Sequence, residues 1–371
     1  MGLRNFEKSA KPYEAPRTGC GSSGGASNAT PGGSSPAAAG KVGVILPDTK
    51  SSARWENNDR PSLKKAFDAA GVASDIQNAQ GDVPTFGTIC DTMITEGVKV
   101  LMIVNLDSDS GAACLNKAKA TGIATIDYDR LTLGGGANYY VSFDNVKVGE
   151  LQGTGLIACL DAKNLTKANI VYINGAATDN NATLFKQGYA QALKAKLDSG
   201  DYKLVGDQTG EWNPDKAQSV MEDFLTAQKG NIQGAIVAND GMAGGASAAL
   251  AKQGLEKKIP ITGQDATDDG LNRVLTGLQC GTVFKDTDLE ADAAAKIAIA
   301  LATGNTAAAD AIATSTVQDT KLNTAVKFAA ATPVWISDAA GVKTVIATGY
   351  TTAAKVCTGD AAAVCTKDGI S

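Results

Sequence analysis

Polar side chains suited to binding hydroxyl groups stand at nearly every point where a predicted strand ends. They are Arg54 and Trp55, Asp129 and Arg130, Asp179 with Asn180 and Asn181, Trp212, Asn239 and Asp240, Gln264 and Asp265, and Lys285. Carboxylates and amides accept or share hydroxyl hydrogens, Arg and Lys donate to oxygens, and an indole face covers the C–H face of a pyranose ring. The set therefore predicts a site for one small polyol.

The charged members of this set balance one another. Three candidate cations would face three candidate anions, namely Arg54, Arg130 and Lys285 against Asp129, Asp179 and Asp265. A buried charge must be paired or hydrogen-bonded, so these groups would support each other when a cleft closes around them. A site close to electroneutral disfavours a phosphate or carboxylate ligand.

Each residue also has a purely structural explanation. Asp179, Asp240 and Asp265 precede predicted helices and could act only as N-caps. That role is favoured for Asp240, whereas ligand contact is favoured for Asp179. The other structural alternatives are a helix-entry contact for Trp212, a core position for Trp55 and a surface ion pair for Arg130. Independent capping or packing would not require a hydroxyl-binding residue at nearly every strand end.

Composition restricts the function further. The 371 residues include no histidine, the commonest general base and zinc ligand near neutral pH, so most hydrolase mechanisms are disfavoured. An aspartate-based carbohydrate hydrolase using Asp179 and Asp265 stays as the enzyme alternative. A net charge of −5 argues against a nucleic-acid partner, which requires a concentrated basic surface. Neither a metal nor a cofactor is expected, and no apolar run approaches the length of a membrane span.

Short runs rich in Val and Ile alternate with segments of helical spacing from Lys41 onward. The predicted strands are 42–46, 73–77, 100–104, 124–128, 139–143, 169–173, 203–206, 235–238, 259–262 and 281–284. The predicted helices are 59–70, 84–96, 109–121, 146–160, 182–198, 214–228, 242–253, 267–277 and 288–303. Continuous apolar strands separated by helices indicate parallel sheets covered on both faces.

Ten strands are too many for one compact sheet here, so the pattern predicts an α/β protein of two doubly wound parallel-sheet lobes joined by a multi-stranded hinge. Residues 1–40 form a flexible tether, residues 41–143 plus 287–324 the N-terminal lobe, and residues 144–286 plus 325–371 the C-terminal lobe. In this scheme 305–323 is irregular, and 325–336 supplies a last strand to the C-terminal lobe. Ligands of such sheets bind beyond the carboxyl ends of the strands.

The seven cysteines include no C-x-x-C pair, which disfavours a redox centre or a zinc ribbon. The eight-residue step from Cys357 to Cys365 suits a local disulfide in an oxidising compartment. Cys90 with Cys114 is a second candidate pair. For the two remaining cysteines, Cys159 and Cys280, a disulfide and a pair of reduced, buried thiols are both open.

Cys20 is the odd cysteine, and it is followed by the Gly-, Ser- and Ala-rich stretch 21–40. That stretch is too poor in large apolar groups to offset its ordering entropy, which is typical of a linker. The segment resembles the start of a mature bacterial lipoprotein, in which the cysteine carries the lipid. A plain exposed cysteine is the alternative.

Taken in chain order, seven motifs resemble those of the type I periplasmic binding proteins of sugar ABC transporters, over roughly residues 41–350. The motifs are Ala53-Arg54-Trp55, Tyr128-Asp129-Arg130, Ser142–Gln152, Asp179-Asn180-Asn181-Ala182, Asn239-Asp240 with Ala243-Gly244-Gly245, Gly263-Gln264-Asp265-Ala266 and Thr282-Val283-Phe284-Lys285. Each motif alone is unspecific, but the ordered set is specific. The loop 47–52 and the segment 350–371 depart from the family pattern.

The resemblance implies that the polar residues hydrogen-bond a monosaccharide and that Trp55 and Trp212 line it or stack on it. The polar residues are Arg54, Asp129, Arg130, Asp179, Asn181, Asn239, Asp265 and Lys285. It also implies a monomer that closes by a hinge, lies in the periplasm or outside the membrane, and delivers the sugar to an ABC permease. D-xylose is the first ligand implied; ribose, glucose, a signalling furanose and a role with a chemoreceptor are the alternatives.

Overall fold

A computed structural model describes residues 40–371; the predicted tether and Cys20 lie outside this range apart from residue 40. The strands, β1 to β13 in chain order, are Val42–Leu46, Ser74–Asn78, Val100–Ile103, Ala124–Tyr128, Tyr139–Phe143, Ala168–Asn174, Tyr202–Thr209, Gly234–Val237, Thr262–Gln264, Gly281–Phe284, Ser315–Asp319, Thr324–Ala331 and Val334–Ile336. The helices, α1 to α13, are Arg60–Ala69, Val83–Thr95, Ser108–Ala120, Asn145–Ala162, Asn180–Asp198, Pro214–Ala227, Asp240–Ala251, Asp268–Thr276, Thr287–Ala302, Thr306–Ile312, Ala339–Ala347, Ala353–Val356 and Ala361–Asp368. A π-helical turn, Trp55–Asp59, leads into α1.

The first sheet has seven strands in the order β11-β12-β5-β4-β3-β1-β2, all parallel except the edge strand β11. Every residue of β1 is buried, and successive side chains enter different cores because they point to opposite faces of the sheet. Val44 packs with α1 and α9 on one face, whereas Ile45 packs with α2 and α3 on the other. We call this sheet and the helices on it the first lobe.

The second sheet consists of two parts that meet at one parallel bridge between Ala235 and Ile261. Its combined order is β7-β6-β8 followed by β9-β10-β13, and β13 is antiparallel to β10. The side chain of Gln152 donates to backbone carbonyls on both sides of this junction, at Val237, Ala238 and Gly263. We call this sheet with α4–α8 and α11–α13 the second lobe. The prediction of a type I periplasmic-binding-protein architecture, α/β with two parallel sheets, is confirmed.

The prediction that 325–336 forms one strand of the second lobe is wrong for its first part. Residues Thr324–Ala331 pair with β5 in the first sheet, and only Val334–Ile336 pairs with β10 in the second. Pro333 separates the two, since it lacks the N–H that a continuing ladder needs and fixes its own φ angle. We therefore propose a first lobe that extends to residue 331, with the chain crossing between lobes near 144, 286 and 332.

The segment 305–323, predicted to be irregular, contains α10 and β11. Its Ala- and Thr-rich composition carries little periodic signal, and both elements are fixed by tertiary contacts. Ala309 packs against the α9 face of the first lobe, and β11 pairs with β12 along its whole length. The strand predicted over 259–262 lies slightly later, at Thr262–Gln264, because Pro260 cannot donate to a ladder.

Three disulfides connect the six described cysteines. Cys90–Cys114 links α2 to α3 on one face of the first sheet, and Cys357–Cys365 closes a short loop between α12 and α13. The pair that the sequence left open, Cys159–Cys280, is also bonded and links the end of α4 to the start of β10. In residues 40–371 no helix combines the length and the apolar character that crossing a membrane requires.

Candidate functional site

The carboxyl ends of strands from both sheets surround a small cavity. All ten side chains that the sequence predicted as ligand-binding residues line it: Arg54, Trp55, Asp129, Arg130, Asp179, Asn181, Trp212, Asn239, Asp265 and Lys285. Each of them is buried. The structure thus brings the predicted set to one place, while sugar contact by each residue stays a prediction.

Arg54 lies at the base of the cavity inside a group of three carboxyl groups. Its Nε and Nη2 atoms donate to the two oxygens of Asp59 at 2.8 and 2.7 Å, and Nη1 donates to Asp129 Oδ2 at 2.7 Å. Nη2 also donates to Glu290, which comes from α9. Burial alone would lower the pKa of Arg54, but these three carboxylates raise it well above its usual value. Arg54 is therefore a fixed cation.

The other two carboxyl groups around Arg54 were not included in the predicted set. Asp59 and Glu290 are fully buried, so five carboxyl groups, and not three, lie near three cations. Burial, together with repulsion from Asp129 and Asp59, raises the pKa of Glu290 to about 8 in spite of the attraction of Arg54. The two extra carboxyl groups modify the predicted electroneutrality, but the raised pKa of Glu290 limits the negative charge that they add near neutral pH.

Asp129 and Lys285 approach the cavity from opposite lobes. Lys285 Nζ lies 3.1 Å from Asp265 Oδ1 and 3.8 Å from Asp129 Oδ2. Burial would raise the pKa of Asp129, but Lys285, Arg54 and Arg130 together lower it. Burial would likewise lower the pKa of Lys285, yet Asp265 and Asp129 raise it. Both groups are therefore held ionised, so Asp129 offers acceptors and Lys285 offers donors.

Asp179 combines the two roles that the sequence left as alternatives. Its Oδ1 accepts from the backbone N–H of Asn181 and so caps α5, while Oδ2 accepts from Trp212 Nε1 at 3.1 Å. Arg130 Nε of the first lobe lies 3.0 Å from the same Oδ2. Burial raises the pKa of Asp179 despite this cation. Capping fixes the carboxylate at the helix N-terminus, where it faces the cavity.

Several hydrogen bonds cross directly between the lobes at the cavity wall. Asn181 Nδ2 donates to both the carbonyl and the carboxylate of Asp129 at 3.0 Å. Asn239, which caps α7 through Oδ1, donates from Nδ2 to the carbonyl of Ser51 at 2.9 Å. Ser52 Oγ donates to Asp265 Oδ2 at 3.0 Å. These side chains can hold the two lobes together around a ligand.

Aromatic rings from both lobes complete the wall. In the first lobe the guanidinium groups of Arg54 and Arg130 lie 4.6 and 5.6 Å from the ring centroid of Trp55. In the second lobe Trp212 and Phe185 meet edge to face at 6.2 Å. Gly175 makes this placement of Trp212 sterically feasible, since a Cβ there would lie 2.0 Å from the indole ring. The apolar surface suits the C–H faces of a sugar ring.

Three of the cavity residues have a left-handed backbone although none is glycine. The φ angles are 60° for Asp129, 55° for Trp212 and 93° for Asp265. Such conformations are costly for ordinary residues and persist where the surroundings fix them, commonly at functional sites. The strained backbone conformations therefore occur at residues whose side chains line the cavity.

Two buried polar atoms on the cavity wall have no hydrogen-bond partner within residues 40–371. They are Arg130 Nε, whose approach to Asp179 is outside hydrogen-bond geometry, and Gln264 Oε1. Buried donors and acceptors are nearly always satisfied, because an unpaired one costs about 1–3 kcal/mol. Gln264 Oε1 can thus accept a hydrogen bond from a ligand hydroxyl, whereas Arg130 Nε already faces the Asp179 carboxylate.

Two residues noted at strand ends do not line the cavity. Asp240 is buried, and its carboxylate accepts from Thr267 N, Thr282 Oγ1 and Gln279 Nε2. Asp240 therefore joins α7 to β10 and to the start of α8. This role is structural, but it is not the predicted N-cap, because Asn239 caps α7. Asn180 is likewise absent from the cavity lining. Asp265 is not a cap either, since Thr267 caps α8.

Sequence reasoning missed Ser51, Ser52 and Phe185, which also line the cavity, and left Gln264 out of the final set. The two serines lie in the loop 47–52, which departs from the family pattern. Phe185 lies one helical turn after Asn181 on the same face of α5, a spacing that could have revealed it. Nothing in the sequence links Glu290, 236 residues away, to Arg54.

Comparisons with known proteins agree with this geometry. Residues 42–306 match the model of the periplasmic binding protein domain family. The D-xylose-binding periplasmic protein of Escherichia coli (strain K12) is 37% identical over 73% of this chain and 80% of its own length. The multiple sugar-binding periplasmic receptor ChvE of Rhizobium radiobacter is 35% identical over 67% of this chain and 74% of its own.

A solved carbohydrate transporter solute-binding protein from Chloroflexus aurantiacus, in complex with D-glucose, superposes with a TM-score of 0.76 and 27% identity. It covers 85% of this chain and 97% of its own. The matched family model spans well over half of the chain, and the fold is that of the structural neighbour. The chain is a member of the periplasmic binding protein family, with the type I fold.

Proposed function

We propose that this protein captures one neutral monosaccharide between its lobes, with D-xylose as the first candidate. The observation that carries the proposal is the convergence of ten predicted polar and aromatic residues from both lobes on one cavity, where Gln264 Oε1 has no hydrogen-bond partner among the described residues. Relatives named for D-xylose and for multiple sugars support the ligand class.

Each group of cavity residues would make a different kind of contact with the sugar. Asp129 and Asp265 would accept hydroxyl hydrogens, because neighbouring cations pair with both carboxylates. Arg130 and Lys285 would donate to ring or hydroxyl oxygens. Trp55 would cover the apolar face of the ring from the first lobe. A ligand that meets these fixed donors and acceptors would bind in one specific orientation.

Capture would proceed by closure of the lobes. The ligand binds both walls in the closed form and only one in an open form, so its differential affinity shifts the population to the closed form. The bonds from Asn181 to Asp129 and from Asn239 to Ser51 form only when the lobes meet, and they add to that preference. The closed form would then deliver the sugar to the membrane permease of an ABC transporter.

The location would be the periplasm or the outer face of the cell membrane. Three disulfides are consistent with an oxidising compartment. A lipid on Cys20 would tether the domain to the membrane surface. Mass spectrometry of the protein from its native host tests the anchor, since an unmodified Cys20 within a longer chain would exclude it.

A thermal-shift panel of neutral sugars tests the ligand, because a ligand that binds the folded state raises the melting temperature by mass action. The panel includes D-xylose, D-glucose, ribose and xylitol, followed by calorimetry on each hit. A D-glucose preference would identify a different sugar for the same site, as the glucose-bound neighbour suggests. No shift with any neutral sugar would refute the proposed ligand class.

Alanine variants test the site. Asp179→Ala and Asp265→Ala should each weaken sugar binding by about 1–3 kcal/mol, because each leaves buried partners unsatisfied. Asp127→Asn is the matched control: Asp127 is equally buried but bonds Thr132 and does not line the cavity. Unchanged affinity in both alanine variants would show that the site assignment is wrong.

A further inference from the structure

The C-terminal segment after β13 reaches the back of the cavity through a single tyrosine. Tyr350 Oη donates to the backbone carbonyl of Asp265 at 2.9 Å. Its ring packs edge to face on Phe284, the residue directly before Lys285, with centroids 5.1 Å apart. Tyr350 therefore contacts Asp265, which lines the cavity, and Phe284, which directly precedes the lining residue Lys285, without lining the cavity itself.

The backbone that Tyr350 supports is one of the strained parts of the site. Asp265 and Ala266 are consecutive non-glycine residues with φ angles of 93° and 49°. Asp265 N donates to the carbonyl of Val283, and Ala266 N donates to Thr282 Oγ1. The tyrosine hydroxyl donates to the carbonyl of Asp265, so the left-handed turn is held from both sides.

The C-terminal segment that contains Tyr350 packs closely against α8. Tyr350, Val356 and Cys365 belong to one apolar cluster with residues of α8, and the Cys357–Cys365 disulfide closes its end. Asn272 of α8 donates to the carbonyls of Val356 and Thr358. Burial raises the pKa of Tyr350 far above its usual value, which keeps the hydroxyl a donor. This support is therefore rigid.

The first lobe also touches this residue. Asn58 lies in the π-helical turn that begins at Trp55, and its Nδ2 donates to the carbonyl of Tyr350 at 3.4 Å. Tyr350 thus lies between the strained Asp265 turn of the second lobe and the Trp55 turn of the first.

Resting on the proposed function, we propose that Tyr350 is a positioning residue of the sugar site: it fixes Asp265 and Lys285 from behind and so determines affinity without touching the ligand. The C-terminal segment, which lies beyond the matched family region 42–306, is then part of the binding machinery.

Tyr350→Phe tests this, because it removes only the hydroxyl and keeps the ring on Phe284. We expect the dissociation constants for D-xylose and D-glucose, measured by calorimetry, to rise about 3- to 10-fold, the loss of one hydrogen bond. Tyr189→Phe is the matched control, since Tyr189 is buried in the same lobe and donates to Asn174. It should alter the melting temperature but leave the dissociation constants within 2-fold of wild type.

A double-mutant cycle with Asp265→Asn separates positioning from general loss of stability. If Tyr350 acts through the Asp265 carboxylate, Tyr350→Phe should weaken binding much less in the Asp265→Asn background than in wild type. Equal effects in both backgrounds, or a dissociation constant unchanged in Tyr350→Phe, would overturn the inference. Failure of the wild-type protein to bind any sugar would instead refute the proposed function.

Discussion

Arg54 offers a direct test of how the site is held together. It is 2% exposed and donates four hydrogen bonds to Asp59, Asp129 and Glu290. Arg54→Met keeps most of the side-chain volume but removes the shared cation. Taking one partner from a buried ion pair costs about 3–5 kcal/mol, because the remaining charge stays desolvated. We therefore expect a loss of unfolding free energy of about that size at pH 8.

The loss should depend on pH. Without the guanidinium, the three carboxyl groups need to bind protons in the folded state, which is easier as the pH falls. The difference between variant and wild type should therefore be smaller at pH 5 than at pH 8. Adding Glu290→Gln to Arg54→Met should recover part of the loss at pH 8, because one fewer carboxyl group needs a proton.

Denaturant unfolding followed by circular dichroism at both pH values measures these differences. Lys64→Met is the control, since Lys64 pairs with Asp68 on an exposed helix face, where such pairs contribute about 0–1 kcal/mol. A loss below about 1 kcal/mol in Arg54→Met, or one that is equal at pH 5 and pH 8, would refute the role of Arg54 as the counterion of the group.

Three further predictions concern pH, covalent links and packing. Because the pKa of Glu290 rises from 4.5 to about 8 on folding, its contribution to stability is fully present below pH 4.5 and is lost as the pH rises to about 8; the melting temperature of Glu290→Gln should therefore vary less between pH 5 and 8 than that of wild type. Removing the Cys159–Cys280 disulfide, which closes a loop of 121 residues, should lower the free energy of unfolding by about 5 kcal/mol through loop entropy. Removing Cys357–Cys365, which closes a loop of eight residues, should lower it by only about 2.5 kcal/mol. Equal losses for the two variants in denaturant unfolding would contradict this. Gly175→Ala should displace the Trp212 ring, lowering stability by about 1–3 kcal/mol and weakening sugar binding, and unchanged binding in calorimetry would argue against a role for that ring.

Much of the fold follows from local patterns. Ten strands and nine helices were predicted from apolar runs and helical spacing, and each corresponds to an element of the structure within a few residues. Fully buried strands such as β1 give continuous apolar runs, the strongest signal a parallel sheet leaves in a sequence. The Ala- and Thr-rich region 305–323 gives no such signal, so α10 and β11 were not predicted.

The glycine-rich run Gly153–Ala158 shows how a pattern needs its structural context. It matches a dinucleotide-binding fingerprint in letters, but it lies inside α4, within the predicted helix 146–160. A Cβ on Gly153 would come within 2.7 Å of Ala192, so this glycine permits close packing of α4 on α5. The close approach of two helices, and not a nucleotide, accounts for it.

The sequence by itself determined the residue types at the strand ends, since the loops after parallel strands are local and their chemistry can be read directly. Only the tertiary structure decided how those residues are used. It placed Glu290 and Asp59 against Arg54, gave Asp129 and Asp265 left-handed backbones, and brought Tyr350 behind the site. These arrangements depend on contacts between distant parts of the chain and on burial, which shifts charge equilibria and fixes strained backbone. No local spacing encodes either effect.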